Sequence, residues 1–496
     1  MIESQAVHDG ESVGMVGVKS LLAQIAPQPD AVADTMVTGV AFRADEVCEG
    51  DVFFCVRGKV HDGHGFADAA LARGAAALVV ERELLGLQIP QYVVPDTRLA
   101  LGYAAAAFWG RPSESMQVFG VTGTNGKTTT TYVLDSILRA AGHTTGIIGT
   151  VETRIGNERV PATRTTPESS EVQALLARMR DAGVTAVSME VSSHAIDLHR
   201  VDAVAFAAVG FTNLTQDHLD YHETISQYAA VKKRLFTDFS VSARVIDTDD
   251  EFGAGMAKEF TDAITVGRRD GVTVRASEES PSPDGTCFIL VTGAEQMPVR
   301  LPLSGGYNVN NALMAAGCAL SSGIPLTTVV AGLEAAPQVP GRLERIDEGQ
   351  RFAVLVDYAH TPDSLDKASA AVKRITSGRT IVVFGCGGDR DPSKRPLMAA
   401  AAARHADLAI ITSDNPRSED PASIISQIEP GLAGTAASYE IVLDRQRAIL
   451  RALELAQPGD SVLIAGKGHE NYQIFADKTI HFDDREVARE GLRSRC

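Results

Sequence analysis

Short apolar runs separated by stretches with helical spacing dominate the chain from residue 116 onward. Residues 118–122 are apolar and β-branched, and a glycine-rich turn follows them. Helical spacing then continues through a set of apolar residues that ends before Gly142, a helix stop: Tyr132, Val133, Ile137 and Leu138. Further apolar runs predict strands at 186–191, 204–211, 352–356, 380–384, 408–412 and 462–465. Strands that alternate with helices predict parallel, doubly wound sheets.

The part of the chain before residue 111 has a different pattern, and two clusters of turn residues mark the boundaries. Short segments such as 51–54 and 76–80 are interpreted as alternating strands. Breaker clusters lie at 110–113 and at 337–341. At ~100–200 residues per domain, 496 residues predict three α/β domains, 1–111, 112–338 and 339–496. In the third, polar residues follow the apolar runs, where ligands of open α/β sheets bind: Asp357, Asp389, Asp414 and Lys467.

Charge and composition argue against nucleic-acid-binding, membrane-spanning and secreted proteins. A net charge of −17 argues against general binding of nucleic acid or of anionic membranes, which requires clustered Lys and Arg. The N-terminus lacks the apolar stretch of a signal peptide, and the chain has no run of 18 apolar residues, so we expect a cytoplasmic protein without a membrane span. The cysteines form no C-x-x-C pair and are interpreted as reduced: Cys48, Cys55, Cys287, Cys318, Cys386 and Cys496.

The strongest local motif is a glycine-rich loop between a predicted strand and a predicted helix. It runs from Gly120 to Thr129, and its expected phosphate-binding members are Gly123, Thr124, Asn125, Gly126, Lys127, Thr128 and Thr129. Backbone N–H groups and the helix N-terminus favour phosphate, Lys127 would reach the β- and γ-phosphates, and the Thr128 hydroxyl would bind Mg²⁺. The loop is a variant, because Val121 occupies the position where the strict pattern has glycine. A glycine-rich turn without function is the alternative.

This loop and six further segments, in order along the chain, resemble the Mur ligase family of ATP-dependent amide ligases. The segments are Glu-Val-Ser-Ser-His at 190–194, Asn-Leu-Thr-Gln-Asp-His-Leu-Asp at 213–220, Lys-Lys-Arg-Leu-Phe at 232–236, Tyr-Asn-Val-Asn-Asn at 307–311, Gly-Arg-Leu-Glu at 341–344 and Asp-Tyr-Ala-His-Thr-Pro at 357–362. The resemblance covers almost all of the second and third predicted domains. It implies a central P-loop ATPase domain with a parallel sheet, and a doubly wound α/β domain after it.

The resemblance also implies a catalytic set and its cofactors, ATP and Mg²⁺. Thr128 and Glu190 would hold one Mg²⁺, and His218 a second, together with Lys232, which in the family is carbamylated. A lysine whose pKa is lowered by burial reacts as a neutral amine with CO₂, and the carbamate is an anion. Nucleotide contacts would include Asn308, Arg342 and Asp357. Taken alone, Glu190 could be a surface carboxylate at a strand end, His218 a structural loop histidine, and Lys232 a solvated lysine.

On the substrate side the chain resembles the branch that adds the third residue of the peptidoglycan precursor. Thr165, Thr166, Ser192 and Arg200 would hold UDP-N-acetylmuramoyl-L-alanyl-D-glutamate. The incoming amino acid would contact Arg390, Asp414, Asn415, Pro416, Arg417, Gly466 and Glu470. Asp-Asn-Pro-Arg at 414–417 is the form associated with meso-diaminopimelate; L-lysine or another diamino acid is the alternative. Arg417 could instead be a surface charge paired with Glu419.

The predicted first domain would bind the UDP substrate, and it departs from the family in one place. Members commonly have Asp-Ser-Arg where this chain has Arg43, Ala44 and Asp45. Two other functions fit part of the pattern: another Mur-fold ligase such as a folate polyglutamylase, or a P-loop nucleotide switch without ligase activity. The motifs at 164–167 and 414–417 argue against the first. The joint presence of His218, Lys232 and a third domain argues against the second. The expected enzyme is a monomer with small-molecule partners only.

Overall fold

The computed structural model describes residues 14–30, 33–58, 60–162 and 164–495. The chain divides into two compact units. The first comprises Met1–Gly123, Leu138–Thr265 and Gly317–Ile324; the second comprises Thr124–Ile137, Val266–Ala316 and Pro325–Cys496. Among the described residues, no helix is both long enough and apolar enough to cross a membrane. Five cysteines are free thiols, as predicted, and Cys496 lies outside the described residues.

The N-terminal part of the first unit is built on a four-stranded parallel sheet of order β3-β4-β5-β6. Its elements are β1 (Val16–Gly17), α1 (Val18–Leu22), β2 (Met36–Val37), β3 (Gly39–Ala41), β4 (Asp51–Phe54), α2 (Ala67–Ala72), β5 (Ala77–Val80), β6 (Gln91–Val93) and α3 (Thr97–Phe108).

The expected alternation in β4 and β5 is wrong, because all residues of both strands are buried. Val52 and Phe54 point into one apolar cluster, whereas Phe53 belongs to another on the opposite face. A parallel sheet that is covered on both faces requires apolar residues at successive positions.

The rest of the first unit has a parallel sheet with β7 at its centre. Its strands run in the order β10-β9-β8-β11-β7-β12-β13, where β8, β11, β7, β12 and β13 are parallel. The elements of this stretch are β7 (Gln117–Thr122), α4 (Lys127–Ala140), β8 (Thr145–Ile148), β9 (Glu152–Ile155), β10 (Glu158–Pro161), α5 (Ser169–Asp181), β11 (Ala186–Glu190), α6 (Ser193–Asp197), β12 (Ala208–Phe211), α7 (Leu219–His222), α8 (Ile225–Thr237), β13 (Arg244–Asp247) and α9 (Glu251–Glu259). The residues of α4 up to Ile137 belong to the second unit.

The strand predicted at 204–211 is too long, since β12 begins at Ala208. Val204 and Phe206 are nevertheless buried in the apolar cluster that packs against this sheet. Phe206 forms an isolated β-bridge with Val241, outside the strands named above. The hydrophobicity of both residues therefore reflects mainly packing.

The second unit begins with strands that form an antiparallel meander after one parallel pair. The order is β14-β15-β16-β17, and two helices follow. The elements are β14 (Ile264–Gly267), β15 (Val274–Ser282), β16 (Gly285–Thr292), β17 (Glu295–Leu301), α10 (Gly306–Ser321) and α11 (Leu326–Glu334).

The remainder of the second unit is a doubly wound sheet, as the sequence predicts. The strand order is β18-β19-β23-β20-β21-β22, parallel except for β18. Val382 and Phe384 of β20 face one apolar cluster, and Ile381 and Val383 face the other. The elements are β18 (Glu344–Arg345), β19 (Ala353–Asp357), α12 (Pro362–Ile375), β20 (Thr380–Phe384), α13 (Lys394–Ala403), β21 (Leu408–Ile411), α14 (Pro421–Ile428), β22 (Ser438–Ile441), α15 (Arg445–Leu455), β23 (Ser461–Ala465), β24 (Tyr472–Ile474), β25 (Thr479–His481) and α16 (Asp484–Arg493).

Candidate active site

The glycine-rich loop lies between β7 and α4, in the strand–loop–helix setting that the motif requires. Gly126 has a φ of 89°, and a Cβ there would lie 2.2 Å from Oδ1 of Asn311. Only glycine fits such a backbone at low cost. Thr128 and Thr129 occupy the first turn of α4 and are buried. The helix N-terminus thus offers backbone N–H groups suited to an anion.

The variant position of the loop has a packing explanation. Val121 lies within β7, and so does Gly120. A Cβ on Gly120 would approach the ring of Phe206 to 2.8 Å. Gly120 therefore permits close packing of the sheet and does not contribute to the phosphate loop itself.

Polar contacts within the second unit hold the loop side chains. The ammonium of Lys127 donates to the carbonyl of Thr124 at 2.9 Å. The guanidinium of Arg342 donates to the Thr128 hydroxyl at 3.2 Å and lies over the ring of Tyr358. Asn125 donates to the Asp363 carboxylate at 3.4 Å. Arg342 thus extends the positive charge next to the start of α4.

Two residues that the sequence assigns to nucleotide contacts are committed to internal hydrogen bonds. Asn308 is buried; its amide donates to the Ser304 carbonyl at 2.8 Å and its oxygen accepts from Asn311 at 3.0 Å. The Asp357 carboxylate accepts from the backbone N–H groups of Leu343 and Ala359, at 2.7 and 2.8 Å. Burial raises the pKa of Asp357, against the opposing charge of Arg342 and these hydrogen bonds. Asn308 therefore holds the backbone at Ser304, directly before α10, and Asp357 holds it at Leu343 and Ala359.

In the first unit, Glu190 is the last residue of β11, and its side chain is buried rather than exposed at the surface. Its carboxylate accepts from the backbone N–H of Thr150 at 2.8 Å and from the Thr150 hydroxyl at 3.0 Å. The Thr150 hydroxyl also lies 3.0 Å from that of Thr165. These bonds fix the carboxylate at the carboxyl end of the sheet, where a hard cation would find oxygen ligands.

The expected substrate residues surround the same strand end. The Thr166 hydroxyl donates to the Glu190 carbonyl at 2.8 Å, and the backbone N–H of Ser192 donates to that hydroxyl at 3.2 Å. Arg200 donates to the Thr166 carbonyl at 2.9 Å and to the Glu168 carboxylate at 2.7 Å. The structure therefore brings together the whole predicted set of Thr165, Thr166, Ser192 and Arg200.

Lys232 is buried on α8, which excludes the solvated alternative. Its Nζ donates to the Gly123 carbonyl at 2.8 Å and lies 4.5 Å from the centroid of the Tyr228 ring. The His218 ring lies 6.2 Å from the same ring. His218 has a φ of 53° and a partly exposed side chain. Two of the expected catalytic groups, His218 and Lys232, thus lie near the same aromatic ring.

Mg²⁺ is the cation that the sequence implies, and the donor chemistry of these residues fits it. Within the described part of the chain, no group of three or more His, Cys, Asp and Glu side chains could hold a metal ion by itself. Mg²⁺ bound beside a nucleotide keeps several waters and needs only one or two protein carboxylates together with phosphate oxygens. A buried, oriented carboxylate such as that of Glu190 meets this need.

The predicted amino-acid pocket forms at the carboxyl ends of β21 and β23 in the second unit. Lys467, which is fully buried, links three of its members: Nζ lies 3.0 Å from Asn415 Oδ1 and 3.4 Å from both the Asp414 and Glu470 carboxylates. Asn415 also donates to Glu470 at 3.0 Å. Gly466 has a φ of 119°, which favours glycine. Asp414, Asn415, Lys467 and Glu470 thus form one hydrogen-bonded network.

Arg417 does not pair with Glu419. Glu419 accepts from Arg395 at 2.8 Å, whereas Arg417 donates to the Gly388 carbonyl at 2.8 Å. Among the residues that the structure describes, Arg417 forms no ion pair and is half-buried in the loop after Pro416. Arg390 is exposed and donates to a backbone carbonyl. Neither guanidinium is therefore paired with a carboxylate among the residues that the structure describes.

His469 is partly buried next to this pocket, and its burial predicts that the protein loses stability in acid. Burial lowers the pKa of His469 to about 4, and the charges of Arg342 and Arg485 act in the same direction. As pH falls, His469 takes up its proton at a higher pH in the unfolded chain than in the folded protein. Its contribution to the free energy of unfolding is therefore complete above about pH 6.5 and is lost towards pH 4. Between pH 7.5 and 5, the free energy of unfolding is expected to fall by about 2 kcal/mol through His469 alone.

We expect His469→Gln to remove that part of the pH dependence. The free energy of unfolding, measured by urea titration at pH 7.5 and pH 5, should fall less in the variant than in the wild type. The matched control is His481→Gln, because His481 is exposed and its pKa is raised by the Glu486 carboxylate. A variant that loses as much stability as the wild type between these pH values would contradict the assignment.

Several residues that shape these sites were not predicted from the sequence. They are Thr150, Tyr228, Lys467 as the link of the pocket, and Arg445. Most of them act across long separations in sequence; Thr150 and Glu190, for example, are 40 residues apart. Only Lys467 carried a signal, since it follows a buried strand directly.

Three family models match successive parts of the chain. They are the Mur ligase family catalytic domain over residues 36–109, the Mur ligase middle domain over 121–319, and the Mur ligase glutamate ligase domain over 341–468. Together they cover most of the chain.

Curated relatives and solved structures agree with these matches. The chain is 46% identical over 458 residues to a UDP-N-acetylmuramoyl-L-alanyl-D-glutamate–2,6-diaminopimelate ligase of Geobacillus kaustophilus, covering 90% of this chain and 93% of the relative. It is 44% identical over 476 residues to a ligase of the same name from Syntrophomonas wolfei, covering 94% and 96%. A solved structure of a ligase of that name matches with a TM-score of 0.72 and 32% identity, covering 97% of this chain and 99% of that chain.

Proposed function

Because this chain belongs to the Mur ligase family, we propose that it joins meso-2,6-diaminopimelate to UDP-N-acetylmuramoyl-L-alanyl-D-glutamate in an ATP-dependent step of peptidoglycan synthesis. The observation that carries the proposal is the likeness over nearly the whole chain to relatives that are named for this reaction. The described geometry supports it in both units. A glycine-rich loop joins β7 to α4, as a phosphate site would require. Hydrogen bonds link Asp414, Asn415, Lys467 and Glu470, and Arg417 forms no ion pair with any residue that the structure describes.

The reaction has two steps. The free D-glutamyl carboxylate attacks the γ-phosphorus of ATP, which gives an acyl phosphate and releases ADP. An amine of the diamino acid then attacks the acyl carbon, forms the amide and expels phosphate. Positioning and electrostatic stabilisation supply most of the rate enhancement in such transfers. Exclusion of water protects the acyl phosphate from hydrolysis.

Each group of residues has a part in this scheme. The Lys127 ammonium stabilises charge that develops on the transferring phosphoryl group. Thr165, Thr166, Ser192 and Arg200 hold the UDP substrate, and Glu168 orients Arg200. The Asp414 and Glu470 carboxylates take an ammonium of the diamino acid, and Arg417 pairs with a carboxylate.

Mg²⁺, when bound, neutralises negative charge on the nucleotide phosphates. Thr128 of the second unit is a proposed Mg²⁺ ligand, and so are Glu190, His218 and carbamylated Lys232 of the first. In the carbamylation, the neutral Nζ of Lys232 attacks the carbon of CO₂, a new N–C bond forms, and one proton leaves to solvent. The carbonyl of Gly123, 2.8 Å away, orients the amine.

The test of the overall proposal is the dependence of ADP release on both substrates. A ligase of this kind consumes ATP to completion only when the UDP-muramoyl dipeptide and a diamino acid are both present. Release of ADP at the same rate without them would instead support a nucleotide switch or a plain ATPase. Glutamylation of a folate substrate would support a folate polyglutamylase.

We expect Lys127→Ala to lower kcat by at least ~10²-fold, the scale of one lost electrostatic stabiliser. The KM for the diamino acid should change little, because the ammonium acts on phosphate. The control is Arg139→Ala, in the last turn of the same helix α4. Turnover of Lys127→Ala close to the wild-type value would exclude this loop from catalysis.

A further inference from the structure

A buried ion pair lies directly beneath the amino-acid pocket of the second unit. Arg445 begins α15 and Asp484 begins α16, 39 residues later. Nε and Nη2 of Arg445 each donate to one oxygen of the Asp484 carboxylate at 2.7 Å. Both side chains are 0% exposed. The pair is therefore bidentate and entirely removed from water.

The same guanidinium also holds the backbone at two strand ends. Nη2 donates to the carbonyl of Ala465 at 3.0 Å, and Nη1 donates to that of Ser413 at 3.4 Å. Ala465 is the last residue of β23, directly before Gly466. Ser413 stands directly before Asp414. Arg445 thus fixes the two points from which the pocket loops leave the sheet.

The pocket depends on the relative position of these two loops. One carries Asp414 and Asn415, the other carries Lys467 and Glu470, and hydrogen bonds join them above the ion pair. A Cβ on Gly466 would lie 3.4 Å from Asp414 Oδ2 and 3.8 Å from Arg445 Nη2. The space between the pocket and the ion pair is therefore small, and a shift of one loop would separate the linked side chains.

A contribution to stability alone does not explain why a fully buried ion pair is present here. Desolvation of two charges offsets much of their attraction, and apolar residues of similar volume often serve the core equally well. Apolar side chains cannot, however, donate to the Ser413 and Ala465 carbonyls. A guanidinium can hold a carboxylate and two carbonyls at once, because its donors form a planar fork.

We propose that Arg445 and Asp484 are positioning residues for the diamino-acid pocket, which set the spacing of its two loops through the Ser413 and Ala465 carbonyls. The inference rests on the proposed function, since it assigns these residues to recognition of the amine substrate. Asp484 holds the guanidinium, and the guanidinium holds the loops. Neither residue touches the substrate.

The decisive variant replaces both charges together, Arg445→Met with Asp484→Leu. No charge is then left buried without a partner, so the melting temperature should stay close to that of the wild type. The KM for meso-diaminopimelate should rise at least ~10-fold, because small misplacements of binding groups are costly. The KM values for ATP and for the UDP substrate should be unchanged.

A matched control lies on the same helix. Arg451 also pairs with a carboxylate through two bonds, to Glu440 at 2.9 and 3.1 Å, but this pair is exposed. Arg451→Met with Glu440→Leu should leave every KM unchanged. Arg445→Lys keeps the charge but cannot reach both carbonyls, so its KM for the diamino acid should lie between those of the wild type and the double variant.

The outcomes separate the inference from the proposed function. A folded double variant with the wild-type KM for diaminopimelate overturns the inference, and so does an equal rise in all three KM values. If the double variant does not fold, Arg445→Lys decides, and a wild-type KM in that variant overturns the inference. A wild-type protein that ligates no diamino acid contradicts the proposed function instead.

Discussion

Replacement of Lys232 by alanine is expected to lower kcat by ~10³-fold or more. The side chain is buried, its Nζ donates to the Gly123 carbonyl, and the Tyr228 ring covers it. In the proposed reaction its carbamate is an anionic ligand of a cation that neutralises phosphate charge. Loss of about 4 kcal/mol of such stabilisation corresponds to ~10³-fold in rate.

A small carboxylate should partly restore this variant, because it supplies the missing anion. Acetate or propionate in the assay is expected to raise the kcat of Lys232→Ala and not that of the wild type. The matched control is Lys233→Ala, whose ammonium pairs with Glu259 at 2.5 Å and is part of the same basic stretch. Its kcat should be that of the wild type.

The modification itself has a readout that is independent of activity. Protein equilibrated with ¹³C-bicarbonate should give a carbamate resonance that is absent from Lys232→Ala and present in Lys233→Ala. A fully active preparation whose Lys232 is a bare ammonium in an electron-density map would contradict the carbamate.

Arg417→Ala is expected to lower kcat/KM for meso-diaminopimelate by ~10²–10⁴-fold, the range for loss of one partner of a buried charge pair. Diaminopimelate carries a distal carboxylate that lysine lacks, and an unpaired buried carboxylate is costly. Arg417 donates to the Gly388 carbonyl, which aims its guanidinium, and it forms no ion pair in the described part of the chain.

The effect should be confined to the amine substrate. The KM for ATP should change little, and Arg404→Ala, which removes an exposed arginine paired with Asp366, should leave kcat/KM unchanged. Arg417→Lys should recover only part of the loss, since an ammonium lacks the forked donors that match a carboxylate. Wild-type kcat/KM in Arg417→Ala would remove Arg417 from recognition.

Local apolar runs in the sequence were sufficient to predict the strands next to the candidate sites. The bounds of the strand at 380–384 were predicted without error, and β7, β11 and β23 differ by one residue from the predicted runs. Their apolar, β-branched residues are buried on both faces, so pattern and packing agree. Where hydrophobicity had another cause, as at Phe206, the prediction failed.

The side-chain networks could not be predicted, because their members are distant in sequence. No local pattern joins Thr150 to Glu190 or Arg445 to Asp484. Motifs assigned the predicted pocket residues to the loops after two apolar runs. Only the fold shows that Lys467 links Asp414, Asn415 and Glu470, and that Glu419 binds Arg395 instead of Arg417. The roles of Asn308 and Asp357 toward a nucleotide stay predictions, as does the division at residues 111 and 338.

The most direct measurement of the central claim is a product assay with competing amines. The protein is incubated with ATP, Mg²⁺ and UDP-N-acetylmuramoyl-L-alanyl-D-glutamate, and with equal concentrations of meso-diaminopimelate, L-lysine and L-ornithine. Mass spectrometry then identifies the UDP-muramoyl tripeptide that forms. We predict that the diaminopimelate product predominates, with one ADP released per product. A predominant lysine or ornithine product would contradict the proposed substrate, and the absence of any tripeptide would contradict the proposed ligase.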